Sequence, residues 1–187
     1  QYTMALLEKE YARELKILDI KVPKTKEIPA VRFDEIKRLV AEKYDRKIKN
    51  PFDLEPEEEM LISRYAKEEW DADFVFVTHY PSKKRPFYAM DDPEDKTYTL
   101  SFDLLYHGLE ITTGGQRIHD YQEQLDKMHA QGLDPEDFKY YLEAHKYGLP
   151  PHGGLGIGLE RLVMKLLGLS NVRQASMFPR DINRLLP

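Results

Sequence analysis

Tyr98-Thr99-Leu100-Ser101-Phe102-Asp103-Leu104-Leu105-Tyr106-His107-Gly108-Leu109-Glu110-Ile111-Thr112-Thr113 reads as two strands and the turn between them. Tyr98, Leu100, Phe102, Leu104 and Tyr106 alternate with Thr99, Ser101, Asp103, Leu105 and His107, so one strand face is apolar and the other largely polar. Beyond His107-Gly108, a pair able to turn the chain, Leu109 and Ile111 alternate with Glu110 and Thr112. The spacing predicts an antiparallel hairpin with a two-residue loop, pairing Tyr106 with Leu109, Leu105 with Glu110 and Asp103 with Thr112. Asp103 and Glu110 then share a face as diagonal neighbours, roughly 7–8 Å apart at Cα. Two carboxylates at that span can hold one divalent cation together with phosphate oxygens, the usual way magnesium is bound. The same spacing also suits two solvated acids on a wet sheet face.

Upstream, Phe74-Val75-Phe76-Val77-Thr78 is a short β-rich run expected of a central strand. Between it and the hairpin, Lys83-Lys84-Arg85 reads as a solvated basic loop, and Asp91, Asp92, Glu94 and Asp95 mark a turn. Nearer the start, Leu7, Tyr11, Leu15 and Leu18 predict one helix over residues 2–18. Pro29 to Phe33 is an extended entry into a second helix, over 34–44. Pro56 suits the first position of a third helix running to Trp70, whose opening Glu57, Glu58 and Glu59 complement its dipole as a solvated face. Downstream, Ile118, Tyr121, Leu125 and Met128 carry a helix, Asp134-Pro135 starts another that Gly148 ends, and Arg173 to Phe178 is a candidate last strand. The fold class expected is α+β: an antiparallel sheet flanked by helices, with a helical segment over 1–72 and a sheet-and-helix core over 73–187.

Pro150-Pro151-His152-Gly153-Gly154-Leu155-Gly156-Ile157-Gly158-Leu159-Glu160-Arg161 is the other informative stretch. Its four glycines run towards a helix in which Leu159, Leu162, Val163, Leu166 and Leu167 form the apolar stripe of a buried face. Glycine costs a helix or strand about 0.5–1 kcal/mol relative to alanine, so four of them point to something that approaches too closely for a Cβ. A helix N-terminus favours anions, and Arg161 one turn inside adds a planar cation suited to phosphate or to a flat ring. The glycines alone would also fit a tight turn with Arg161 in a structural ion pair.

Composition limits the remaining classes. At 187 residues, 41% hydrophobic and 33% charged, the chain suits one soluble globular domain. The absence of cysteine excludes disulfides and thiolate metal sites, and the six histidines show no paired ligand spacing. No apolar run approaches the ~18 residues of a membrane span, and no secretory signal is found, so a cytoplasmic location with no membrane partner is expected. A net charge of −5 argues against a general nucleic-acid-binding surface while leaving room for a local one. Gln1 in place of an initiator methionine suggests a chain that begins partway through a larger gene product.

The segment Ser101 to Asp120, the segment Tyr147-Gly148-Leu149-Pro150-Pro151-His152-Gly153-Gly154, and the ending Phe178-Pro179-Arg180-Asp181 with Arg184-Leu185-Leu186-Pro187 resemble the class II aminoacyl-tRNA synthetases, specifically the aspartyl type of archaea and eukaryotes. The likeness is strong over residues 74–187 and loose before them. It implies an antiparallel sheet that holds ATP, magnesium and the amino acid. Glu110 would ligate magnesium and contact ATP, with Asp103 as a second carboxylate and Thr113 near both metal and amino acid. Arg117 would read the substrate side chain. Gly158, Leu159, Glu160 and Arg161 would form the ATP-binding end of the family's third motif, with Arg161 and Glu110 as the catalytic pair. ATP, aspartate or asparagine, tRNA-Asp and tRNA-Asn are the partners implied, in a homodimeric whole protein.

Two departures bear on this. Thr113-Gly114-Gly115 stands where eukaryotic-like members carry serine-glycine-alanine, a wording closer to bacterial enzymes of archaeal type, some of which charge both tRNAs. The family's first and second motifs and its anticodon-binding barrel are not found here, so the chain resembles the C-terminal part of a catalytic domain and is expected to be inactive alone. An asparaginyl-tRNA synthetase, a synthetase-derived asparagine synthetase and a non-catalytic ligand- or partner-binding module are the competing readings.

Overall fold

A computed structural model describes residues 1–186; Pro187, the last residue of the closing segment quoted above, lies outside the described residues. Five strands form one sheet in chain order: β1 (Ala30–Arg32), β2 (Phe74–Thr78), β3 (Ser101–Tyr106), β4 (Leu109–Arg117) and β5 (His152–Ile157). Every neighbouring pair is antiparallel except β1–β2. A parallel pair needs a crossover, and here it carries two helices, α3 (Phe33–Lys43) and α4 (Pro56–Trp70). The first third of the chain thus gives the sheet an edge strand as well as helices.

The two faces of the sheet bury different things. On one, Val75, Val77 and Leu105 pack against Phe33, Ile36 and Val40 of α3 and Ile62 and Ala66 of α4. On the other, Phe74, Tyr106 and Ile111 pack with Met4 of α1 (Tyr2–Glu10) and Leu162 of α7 (Leu159–Leu166). Phe74 and Tyr106 stack there with ring centroids 4.4 Å apart. The face of β3 that reads as polar is therefore not a wet one: Thr99, Ser101 and Asp103 are all buried.

Several local expectations change in the folded chain. The first helix breaks at Tyr11 into α1 and α2 (Ala12–Ile17), and Tyr11 and Leu18 of its supposed stripe are exposed, because the segment meets the sheet through Met4 and the half-buried Leu7 of α1. Arg173 to Phe178 forms no strand; a 3₁₀ turn, Val172–Ala175, is capped by the Asn171 side chain, which accepts from the Arg173 amide. Most of the glycine stretch is strand β5, and only Gly158 caps the helix. The apolar stripe of α7 is buried only in part: Leu162 packs beside Phe74 and Tyr106, while among the described residues nothing covers Leu159, which is 64% exposed.

Of the acids opening α4, Glu57 is solvated as expected, Glu59 is half-buried, and Glu58 is not solvated at all. Glu58 is buried, closes a capping box on the Glu55 amide, and pairs with Lys37 at 2.9 Å. Lys37 Nζ also donates to the carbonyls of Asn50 and Asp53, so the ammonium is satisfied by the connecting loop. Removing one partner of a buried pair leaves the other uncompensated. Glu58→Ala is expected to cost about 3 kcal/mol of unfolding free energy, read from chemical denaturation.

Candidate active site

The hairpin turns at His107 and Gly108 with φ of 46° and 78°, both positive, as a two-residue turn requires. Tyr106 pairs with Leu109 and Leu105 with Glu110, as the spacing predicts. The register then slips: Leu104 pairs with Thr112 and Asp103 with Thr113, so Ile111 is the extra residue of a β-bulge. Its carbonyl is taken by the Gly158 amide at 2.8 Å, which ties the bulge to the start of α7.

This single inserted residue decides which side chains share a face. In a regular strand Glu110 would share its face with Thr112, Gly114 and Gln116. The bulge sends Ile111 to the far core instead and leaves Glu110, Thr113, Gly115 and Arg117 together on the side of Asp103 and Leu105. Arg85, Tyr88, Glu110, Thr113, Arg117 and Gly154 line one cavity of about 510 Å³ above that face.

Each wall has a specific holder. Arg161 Nη1 reaches over from α7, donates to the Glu110 carbonyl at 2.9 Å and lies 3.5 Å from Glu110 Oε1. Glu59, on the first turn of α4, accepts from the Glu110 amide with Oε2 at 3.1 Å. Arg85 Nη2 donates to Asp103 Oδ2 at 2.8 Å and Nη1 to Thr113 Oγ1 at 3.2 Å. Arg117 stacks over Tyr88, 5.0 Å from its ring centroid, and lies against Gly154. A Cβ on Gly154 would come within 2.6 Å of Arg117 Nη2, which accounts for that glycine. Arg117 forms no ion pair among the described residues, so its fork is open to a ligand.

The electrostatics follow from burial around a shared negative charge. Burial first, then the charge of Asp103, pushes the Glu110 carboxyl above its usual range, against the pull of Arg161 and Arg85. Burial likewise raises Glu59, with Glu110 and Asp103 adding to it and the Glu110 amide opposing. A carboxyl raised in the folded state binds more protons than in the unfolded chain, so its ionisation weakens the fold as pH rises through the shifted range. Glu59→Gln keeps an oxygen for the Glu110 amide and removes that penalty. It is expected to raise Tm at neutral pH, a gain that vanishes below the ordinary glutamate pKa of 4.5, checked by thermal melts across pH.

Glu110, Thr113 and Arg117 line the cavity itself; Asp103 and Arg161 are not among its lining residues and join the cluster through Arg85 and Glu110 respectively. Gly158 contributes its amide to the bulge, while Leu159 and Glu160 are exposed at the head of α7 and away from the cavity. Two residues of the cluster have no place in the sequence reading. Arg85 hides in a basic run that looks solvated, and only the Pro86-Phe87 that follows it hints at an ordered backbone. Glu59 hides among helix-start acids. No three carboxylate or imidazole groups converge into a metal cage among the described residues. The donor set still suits a hard cation, which needs only one or two carboxylates when phosphates supply the rest. Asp103 is 6% exposed, and its buried Oδ1 makes no hydrogen bond of good geometry.

Comparison with known proteins shows the family to which the chain is similar. A family model described as tRNA synthetases class II (D, K and N) matches residues 3–182. The aspartate–tRNA(Asp/Asn) ligase of Thermus thermophilus is 51% identical over 175 residues, 93% of this chain and 40% of that protein. The protein of the same name from Aeropyrum pernix is 46% identical over 184 residues, 97% of this chain and 42% of that protein. The structure of aspartyl tRNA synthetase from Entamoeba histolytica superposes with a TM-score of 0.90 at 32% identity, over 98% of this chain and 39% of that one. The chain spans about two fifths of the length of these relatives.

Proposed function

This chain belongs to the class II tRNA synthetases, and from that premise we propose that it is the C-terminal part of the catalytic domain of an aspartate–tRNA ligase, which activates aspartate with ATP and transfers it to tRNA. The observation that carries the reading is the open Arg117 fork, set in the slot left by Gly154 on the face shared by Glu110, Thr113 and Asp103. A guanidinium presents two parallel donors to a carboxylate. Arg117 would therefore hold the β-carboxylate of aspartate and fix the α-carboxylate towards the nucleotide. The stack on Tyr88 keeps the fork from collapsing onto the sheet.

In this reaction the α-carboxylate of the substrate attacks the α-phosphorus of ATP and pyrophosphate leaves, so no nucleophile of the enzyme is needed. Catalysis then consists of positioning and of neutralising phosphate charge. Glu110, Asp103 and Thr113 would hold a divalent cation, magnesium being the fitting one, which supplies Lewis-acid neutralisation of the phosphate oxygens when bound. Arg161 would serve the same charge from beside Glu110, since its bond to the Glu110 carbonyl leaves the remaining guanidinium donors free. Glu59 holds the backbone of Glu110 still while its side chain is in use.

The Thr113-Gly114-Gly115 wording, together with two relatives named for both tRNAs, supports service to tRNA-Asn as well as tRNA-Asp. A homodimeric whole protein in the cytoplasm belongs to the same proposal; no helix of the described residues is long and apolar enough to cross a membrane. The test is aspartate-dependent ATP–pyrophosphate exchange by the full-length protein that carries this chain, followed by charging of each tRNA. Activation of asparagine with no response to aspartate would overturn the reading.

A further inference from the structure

Arg85 has no role in the chemistry above, yet it is the most firmly anchored cation of the cavity. Its guanidinium lies 3.8 Å from the centroid of the Tyr80 ring. Its fork grips Asp103 and Thr113, two of the three side chains read as cation ligands, while Arg161 engages the third, Glu110. Buried ion pairs hold when their remaining polar atoms are satisfied. Arg85 Nε is buried without a hydrogen-bond partner, and the Tyr80 hydroxyl and Asp103 Oδ1, though Tyr80 lies close to the Asp103 carboxyl, make no hydrogen bond of good geometry. A pair built only to stabilise the fold would not leave both of its own members short.

We propose, resting on the reading of Asp103 and Thr113 as cation ligands, that Arg85 is a positioning residue that acts as their built-in counter-ion. Without nucleotide its guanidinium neutralises Asp103 and pins Thr113; it yields when a divalent cation arrives together with a polyphosphate. A fixed positive charge beside the ligands repels a bare divalent ion. A nucleotide brings negative charge that both the ion and a displaced guanidinium can pair with, so the balance reverses. The site thereby favours a cation already carried on phosphate over one free in solution.

The test is Mn²⁺ binding to the full-length protein that carries this chain, in the absence of nucleotide, followed by electron paramagnetic resonance. Arg85→Met keeps the apolar stem on Tyr80 and removes the charge, and is expected to tighten Mn²⁺ binding at least about tenfold. Arg85→Lys keeps the charge without the fork, and should stay within about twofold of the parent sequence. Adding Asp103→Asn to Arg85→Met should erase the gain. Unchanged or weaker binding in Arg85→Met, or equal tightening in Arg85→Lys, overturns the proposal. Arg85→Gln makes the same comparison if circular dichroism shows the methionine variant unfolded. If Arg85→Met gains nothing while Glu110→Gln still removes Mn²⁺ binding, the cation reading stands and only the role of Arg85 falls. If Glu110→Gln leaves Mn²⁺ binding untouched in every background, the cation reading itself is wrong.

Discussion

Glu110→Gln in the full-length protein is expected to lower aspartate-dependent pyrophosphate exchange by about a thousandfold or more, with the fold intact. The substitution keeps the side chain's size and removes one charge and one hard oxygen ligand. Its neighbours explain why the structure should tolerate it. Arg161 is held mainly by the Glu110 carbonyl, and Glu59 by the Glu110 amide, and neither bond depends on the side chain. Burial and Asp103 already disfavour the Glu110 charge, so neutralising it relieves the folded state. The checking measurements are exchange kinetics and a melting curve taken together. Asp103→Asn should be milder in exchange, since Asp103 is the second ligand in this reading. Unaltered exchange in Glu110→Gln would remove the carboxylate from the mechanism.

Arg117→Ala should lower kcat/KM for aspartate by about a thousandfold, equivalent to ~4 kcal/mol, because a buried substrate carboxylate loses its only fork. The loss should be specific, with ATP affinity in the absence of amino acid unchanged. Gly154→Ala provides an independent approach to the same point without touching the arginine. The added Cβ meets the guanidinium itself, at 2.6 to 2.9 Å from Nη2, Cζ and Nε. That end of the side chain can swing away, so the fold should hold while the fork is displaced. Normal aspartate kinetics in Gly154→Ala would show that the fork works from another position.

The strongest signals in the sequence were periodic ones. Alternation and a turn pair located the hairpin; Pro56 and its acids located the start of α4. The resemblance to the synthetases, more than the spacing, pointed to Thr113 and Arg117. What the pattern could not carry was anything decided by a distant contact. The bulge at Ile111 depends on the Gly158 amide, 47 residues on by sequence number, reaching its carbonyl, and no local rule announces that. Glu58 and Arg85 look like ordinary surface charges until α3 and β3 supply the partners that bury them. At its Leu159 end the α7 stripe errs the other way, since a pattern records the capacity to be covered and not the cover.

The bulge also sets how this protein can vary in length. Surface loops absorb insertions because their backbone has no face to keep, but β4 between Glu110 and Arg117 keeps count in twos. Losing or gaining one residue there would turn every position beyond the edit to the opposite side, carrying Thr113 or Arg117 into the packing against α1 and α7. Two residues would restore the side while sliding the fork about 7 Å along the sheet. Length change in homologous chains should therefore accumulate in the loop after β2 and the segment before β5, and the eight positions from Glu110 to Arg117 should admit substitution but no gap.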